Sequence, residues 1–312
     1  MHSGAGRIVR FQMRPMSLAE RGIEQPTVSL AQLVAGNVAC QGHTSIRLRD
    51  YVREIIGSGL PGIRFQDSDL IALLLDSYLD DIVTREFSEQ GHTVRKPAVL
   101  KSWMAAYAAA TGTSTSYRRI LEASTPGESG KPSKGATLAY RDTLRSLWML
   151  DPLDAWLPTS NRLKRLAQAP KHYLADPALA CRLLHVGVDR LMTGADQHSD
   201  LREGTLLGAL FEHLAVLSVR VYAQRIGATV CHMRTQGGDH EVDMIIEAEG
   251  DGIFGIEVKL SQGIDDFDCR HLLWLREMIG DDFIGGAVLN TGGYAYKRQD
   301  GLAVVPLALL AA

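Results

Sequence analysis

The sequence predicts a mixed α/β chain of several domains, helical in its first half and closing on an α-β-β-β-α-β unit. Three observations carry this expectation. The chain has 312 residues, of which 46% are hydrophobic. At roughly 150 residues per domain, that is about two domains with a core that needs no metal or disulfide staple. Apolar residues recur at helical spacing between 45 and 150. Beyond residue 205, one long apolar helix is followed by three short strand-like runs separated by turn chemistry. Composition shifts divide the chain into 1–44, 45–97, 98–175 and 176–312.

The first segment is mixed. Residues 8–13 alternate weakly, like a strand, and Pro15 ends the run. Ser17 and Glu20 have the S-x-x-E form of a capping box, which opens a helix. A second short helix is expected over 28–33. The segment 45–97 reads as helical, with Leu70, Leu74, Tyr78 and Ile82 at helix spacing. Asp76, Asp80, Asp81 and Glu86 accompany them, either as a solvated helix face or as a metal-binding carboxylate cluster. The turn-rich run 57–62 breaks the segment.

Helices are expected over 100–110, 116–123 and 136–150. The third has Leu138, Leu144, Leu147 and Trp148 on its apolar side, and Asp151-Pro152 stops it. Short strands at 156–158 and 171–174 follow. Helix, helix, helix, wing is the order of a winged helix-turn-helix. Residues 155–175 contain Arg162, Lys164, Arg165 and Lys171 and no acidic residue. That basic stretch is a candidate nucleic-acid contact, which would make binding salt-dependent. Its other reading is a basic loop packed on an acidic neighbouring domain.

The rest of the composition excludes several classes. Lys plus Arg total 33 against 36 Asp plus Glu, a net charge of −3, unlike a histone-like basic protein. The four cysteines, Cys40, Cys181, Cys231 and Cys269, form no C-x-x-C pair. They read as reduced, buried thiols, and the expected location is cytoplasmic. Glu212, His213, Arg220 and Arg225 interrupt the longest apolar stretch, so no membrane association is expected. No run matches the phosphate-binding loop G-x-x-x-x-G-K-[ST]. The nearest decoy, at 125–132, has Thr125 for the first Gly and Pro132 for the hydroxyl residue. ATP binding and hydrolysis are not expected of this chain alone.

The sharpest feature lies in the last segment. Strands are expected over 228–235, 241–248 and 253–260, a helix over 265–279, a strand over 284–290 and an edge strand over 302–307. Glu257 and Lys259 are two apart and share a strand face. Asp243 lies fourteen residues before Glu257 on the preceding strand, where a hairpin sets the two side by side. Two carboxylates on adjacent strands can hold a hard divalent ion such as Mg²⁺, and a Lys beside them can position water. A solvated hairpin with cross-strand pairs would look the same.

The pattern D-x(n)-E-x-K on a hairpin is that of the PD-(D/E)XK nuclease fold. Glu212, on the apolar helix before it, completes the set, since a buried carboxylate needs a partner. The expected catalytic residues are therefore Glu212, Asp243, Glu257 and Lys259, with Asp243 and Glu257 as Mg²⁺ ligands. Cys231-His232 and Cys269-Arg270-His271 offer a soft-metal alternative with no supporting frame. His240 is a candidate assistant to the site, or a plain loop residue.

Several stretches resemble one family. They are residues 4–18, the run Asp151-Pro152-Leu153-Asp154-Ala155-Trp156-Leu157-Pro158, the run 169–176, and the closing E-V-D … I-E-V-K pattern. The family is that of bacterial and archaeal AAA-type ATP-binding proteins ending in domain of unknown function 4143. The resemblance implies that 1–44 is the tail of an ATPase module whose nucleotide-binding parts would precede Met1. It also implies a winged helix at 98–175 and a nuclease-like domain at 176–312. The function it implies is a regulatory or nucleic-acid-associated module. An Mg²⁺-dependent DNA or RNA phosphodiesterase and a non-enzymatic protein-docking platform are the alternatives. The implied partners are nucleic acid and an ATPase module or other protein.

Overall fold

The computed structural model describes residues 11–36, 40–90, 97–124, 134–157, 168–197, 205–235, 237–248 and 252–312. The front segment is built onto the far end of the chain. Residues 11–13 carry no strand, and 8–10 lie outside the described residues. The Ser17 amide and hydroxyl both donate to Glu20 Oε2, at 2.7 Å, and a single 3₁₀ turn follows at Ala19–Arg21. The helix expected over 28–33 begins instead as a two-residue strand, β1 (Val28–Ser29), because Ser29 caps helix α1 (Leu30–Val34). Strand β2 (Gly42–His43) follows.

The next segment is helical as expected. It contains α2 (Leu48–Ile56), α3 (Pro61–Arg64), α4 (Ser68–Asp81) and α5 (Phe87–Glu89). The buried stripe of α4 is displaced from the expected one. Leu75 and Leu79 are buried and Leu70 is 43% exposed, while Ile82, just beyond the helix, is buried as expected. Asp76 pairs with Arg182 at 2.5 Å and Asp80 pairs with Lys101. These carboxylates are a surface ion-pair face.

Three helices follow: α6 (Pro97–Ala109), α7 (Tyr117–Ala123) and α8 (Lys134–Ser146). Helix α8 ends earlier than expected. Trp148 adopts a left-handed φ of 58° and is 58% exposed, and Leu138 is 50% exposed. Only Leu144 of the expected apolar side is fully buried, flanked by Thr137 and Thr143.

The strand pairing after α8 also differs. Residues 150–153, not 156–158, lie antiparallel to 171–174, with Leu150 opposite Leu174 and Leu153 opposite Lys171. Residues 154–156 leave that pair for the C-terminal sheet, where the Trp156 amide donates to the His232 carbonyl. Pro158 and the decoy loop at 125–132 lie outside the described residues.

Two helices were not expected, α9 (Pro177–Leu183) and α10 (Val188–Gln197). The first had a signal in Asp176-Pro177: Asp176 accepts from the Ala178 amide at 2.8 Å, and Pro177 occupies the first helical position. Helix α9 packs against α4 and sets its buried face.

The long helix α11 (Leu206–Arg225) was fully legible. It is long and apolar enough to cross a membrane, and 67% of its most apolar window is buried inside the protein. Ser218 and Tyr222 on it accept from the amides of Leu18 and Ala19, which fastens the front segment to its flank. Strands β3 (Thr229–Arg234), β4 (Glu241–Glu247) and β5 (Ile253–Val258) follow, then helix α12 (Asp266–Ile279) and strand β6 (Phe283–Asn290). The chain closes on β7 (Tyr294–Lys297), β8 (Ala303–Pro306) and β9 (Leu310–Ala311).

Among the described residues the main sheet has the order β2-β7-β8-β6-β5-β4-β3. Pairs β5-β6 and β6-β8 are parallel and the others antiparallel, so the sheet is mixed. The strand expected at the edge, β8, is interior, because β7 and β2 extend the sheet beyond it. Strand β1 pairs in parallel with β9. One apolar cluster runs from Leu18 through Trp103 and Phe211 to Leu310, so all four expected segments share a core.

Helix α12 crosses β5 closely at Gly255. A Cβ there would lie 2.6 Å from Leu272 Cδ2. Gly255→Ala is therefore expected to destabilise by about 1–3 kcal/mol through overpacking, read as a lower urea midpoint with an unchanged slope.

Candidate functional site

The residues singled out in the C-terminal unit converge on one cavity of about 720 Å³. Glu212 comes from the second turn of α11, between the buried Phe211 and His213. Strand alternation puts Glu241 and Asp243 on one face of β4, and Glu257 and Lys259 on the matching face at the end of β5. The register, with Met244 opposite Ile256, sets Asp243 beside Glu257 as the hairpin argument expected. Asp243 Oδ2 then accepts from the Val258 amide at 2.9 Å.

A residue expected elsewhere sits among them. Lys171, proposed from composition as part of a basic nucleic-acid surface, is 2% exposed. Its Nζ lies 2.9 Å from Glu212 Oε1, 2.8 Å from Glu241 Oε1 and 3.0 Å from Asp243 Oδ1. As placed, it is not available to a phosphate backbone. The second reading of the basic stretch, packing onto an acidic neighbour, describes Lys171. Arg162, Lys164 and Arg165 lie outside the described residues. Tyr173, two residues on and on the same face, donates its hydroxyl to Glu212 Oε1 at 2.5 Å. Lys171 and Tyr173 are thus the partners that the carboxylate on an apolar helix required.

Lys259 Nζ pairs separately with Glu257 Oε2 at 2.8 Å. Glu257 is 2% exposed, and its Oε1 has no hydrogen-bond partner among the described residues. Burial, reinforced by Asp243, pushes the Glu257 carboxyl up to about 8 against the pull of Lys259. Burial likewise raises Glu212 to about 7, although Lys171 opposes it. For Asp243, burial acts upward but the combined pull of Lys171, Lys259 and the Val258 amide leaves it lowered. Burial pulls the Lys171 pKa down, yet the surrounding Glu212 and Asp243 hold it well above the usual ammonium value. The ammonium is charged throughout the physiological range.

The cavity mouth is mixed in charge. Arg234 lies 3.6 Å from Glu241 Oε2, and Arg270 and His271 also line the cavity. His240 does not reach the carboxylates: its ring stacks on Trp274 with centroids 4.0 Å apart, and its Nδ1 is 3.4 Å from His271 Nδ1. The soft-metal alternative has no geometric support. All four cysteines are buried free thiols, and His232 Nε2 donates to the Ala169 carbonyl.

As arranged, the site does not fit Mg²⁺. Mg²⁺ requires oxygens at about 2.0–2.1 Å in near-octahedral geometry. Here three carboxylate oxygens are instead spaced around an ammonium, and Asp243 has both oxygens engaged. Among the described residues, no group of three His, Cys, Asp or Glu side chains is arranged to hold a metal ion.

Two family profiles match the chain. Residues 207–310 match a domain of unknown function, DUF4143. Residues 48–190 match another, DUF8612. The chain therefore carries a DUF4143 domain, and that domain supplies Glu212, Glu241, Asp243, Glu257 and Lys259. Lys171 and Tyr173 fall in the other match, which spans the expected 45–97 and 98–175 segments as one stretch. No curated protein and no solved structure matches the chain.

Proposed function

We propose that residues 206–290 form a PD-(D/E)XK nuclease-like core, and that the protein is a nucleic-acid-associated regulatory module that binds without cleaving. The convergence of Glu212, Asp243, Glu257 and Lys259 from one helix and one hairpin onto a single cavity carries the first half. The element order α11-β3-β4-β5-α12-β6, with β5 and β6 parallel, supports it. The second half follows from Lys171: with its ammonium among the carboxylates, the pocket is an ion-pair knot and not an open catalytic centre. Retained fold and lost chemistry are compatible, since function resides in the site.

The donor that would face a phosphodiester is Lys259, whose ammonium lies in the cavity lining beside Glu257 Oε2. The helices α6, α7 and α8 and the strand pair that follows would act as a winged-helix-like unit. On it, Arg162, Lys164 and Arg165 would contact the backbone. ATP binding is not part of the proposal for this chain alone, whose sequence contains no phosphate-binding loop.

The test is fluorescence anisotropy with duplex DNA and single-stranded RNA across a salt series. Three phosphate contacts predict about a 40-fold loss of affinity for the duplex, and about a 20-fold loss for the single strand, between 50 and 200 mM salt. Neutralising Arg162, Lys164 and Arg165 together is expected to flatten that dependence, with no cleavage of either substrate in Mg²⁺ or Mn²⁺. Absence of binding at low salt, or binding indifferent to salt, would contradict the proposal.

A further inference from the structure

We infer that Lys171 is a built-in cation standing where a divalent ion would otherwise be held, so that the acidic pocket of the DUF4143 domain is completed by the stretch before it and takes no metal. Three carboxylate oxygens surround Nζ at 2.8–3.0 Å, the spacing of charge-assisted hydrogen bonds. A bound Ca²⁺ would draw the same oxygens to about 2.3–2.6 Å, and Mg²⁺ closer still.

The lysine is fixed from its backbone. Its amide donates to the Leu153 carbonyl and its carbonyl accepts from the Leu153 amide, both at 2.9 Å. Tyr173, on the same strand face, occupies Glu212 Oε1 a second time. Asp243 Oδ2 is taken by the Val258 amide, and Glu257 Oε2 by Lys259. An ion seated among Glu212, Glu241 and Asp243 would have to displace the ammonium of a residue whose backbone is pinned by two main-chain hydrogen bonds.

The arrangement also links the two matched stretches. The ammonium comes from within 48–190 and its three carboxylates from within 207–310. Separating them would leave a buried lysine on one side and uncompensated carboxylates on the other. The inference concerns cation binding alone, so it stands or falls independently of nucleic-acid binding.

Calorimetric titration of the full chain with Mn²⁺ at neutral pH tests it. The wild type is expected to show no saturable binding below millimolar concentration. Lys171→Met uncovers the three carboxylates, and is expected to take up one Mn²⁺ per chain with micromolar affinity and to gain several degrees in Tm with it. Micromolar binding of one Mn²⁺ by the wild type, abolished by Asp243→Asn, would overturn the inference. So would a folded Lys171→Met that gains no ion. Should Lys171→Met fail to fold, the wild-type and Asp243→Asn titrations still decide the matter.

Discussion

Lys171→Met is expected to cost the fold about 3–5 kcal/mol, the loss typical of breaking a buried ion pair from one side. Methionine keeps an unbranched stem as far as Cε, so the effect is chiefly that of removing the charged end and its donors. Glu212, Glu241 and Asp243 are then left facing one another without an ammonium, and only Tyr173 still donates to Glu212. In a chain of this size the loss corresponds to a Tm lower by on the order of 10 °C. Thermal unfolding at neutral pH measures it. Adding Glu212→Gln and Asp243→Asn to Lys171→Met is expected to restore part of the stability, since the stranded charges go with their partner. A change below about 1 kcal/mol in the single variant would show that the ammonium contributes no more than a surface pair does.

The second large effect concerns pH. Glu257 and Glu212 are raised to about 8 and about 7 from an ordinary 4.5. The folded chain therefore keeps protons that the unfolded chain releases. The stability these two groups contribute is full below about 4.5 and is lost as pH rises through about 7 and about 8. Each group imposes a slope of about 1.4 kcal/mol per pH unit within its window. Asp243 acts in the opposite sense: it is lowered from 3.8, and its contribution is lost only as pH falls through its folded value. Urea unfolding across the interval should thus show stability falling from mildly acid to mildly alkaline pH. Glu257→Gln keeps an oxygen for Lys259 but carries no proton to lose. It is expected to remove about one proton's share of the slope, leaving the variant more stable than the wild type above pH 8. An unchanged slope would mean that Glu257 is ionised in the fold at neutral pH.

Much of the C-terminal unit was legible in the sequence. Helix α11 is apolar on nearly every face because it is enclosed, and the three strands after it are punctuated by Gly and Asp turns. The face-sharing of Glu257 and Lys259, and the apposition of Asp243, followed from the two-residue period of a strand. Lys171 was misplaced for a definite reason. A charge count along 155–175 is linear, whereas its partners Glu212 and Asp243 lie 41 and 72 residues away. The alternation that puts Lys171 and Tyr173 on one face was visible, but nothing local says which acids that face meets.

The other departures share this cause. The buried stripe of α4 is set by α9, a helix announced only by Asp176-Pro177. Strand β8 looks like an edge in sequence, yet the short strand β7 pairs with its outer side, and β2, two residues from the other end of the chain, extends the sheet beyond β7. Trp148 reads as apolar helix surface, yet the chain has already turned left-handed there. Local period and capping fix elements, and long-range packing decides which face of each is buried.

An ammonium, and not a metal, is expected among the carboxylates of this acidic pocket. Crystals of the full chain soaked in Mn²⁺ and measured at the manganese absorption edge test it most directly. Lys171 Nζ is expected within hydrogen-bond distance of Glu212, Glu241 and Asp243, with no anomalous peak between them. A manganese peak bound by Asp243 and Glu257, with the Lys171 side chain swung away, would contradict it.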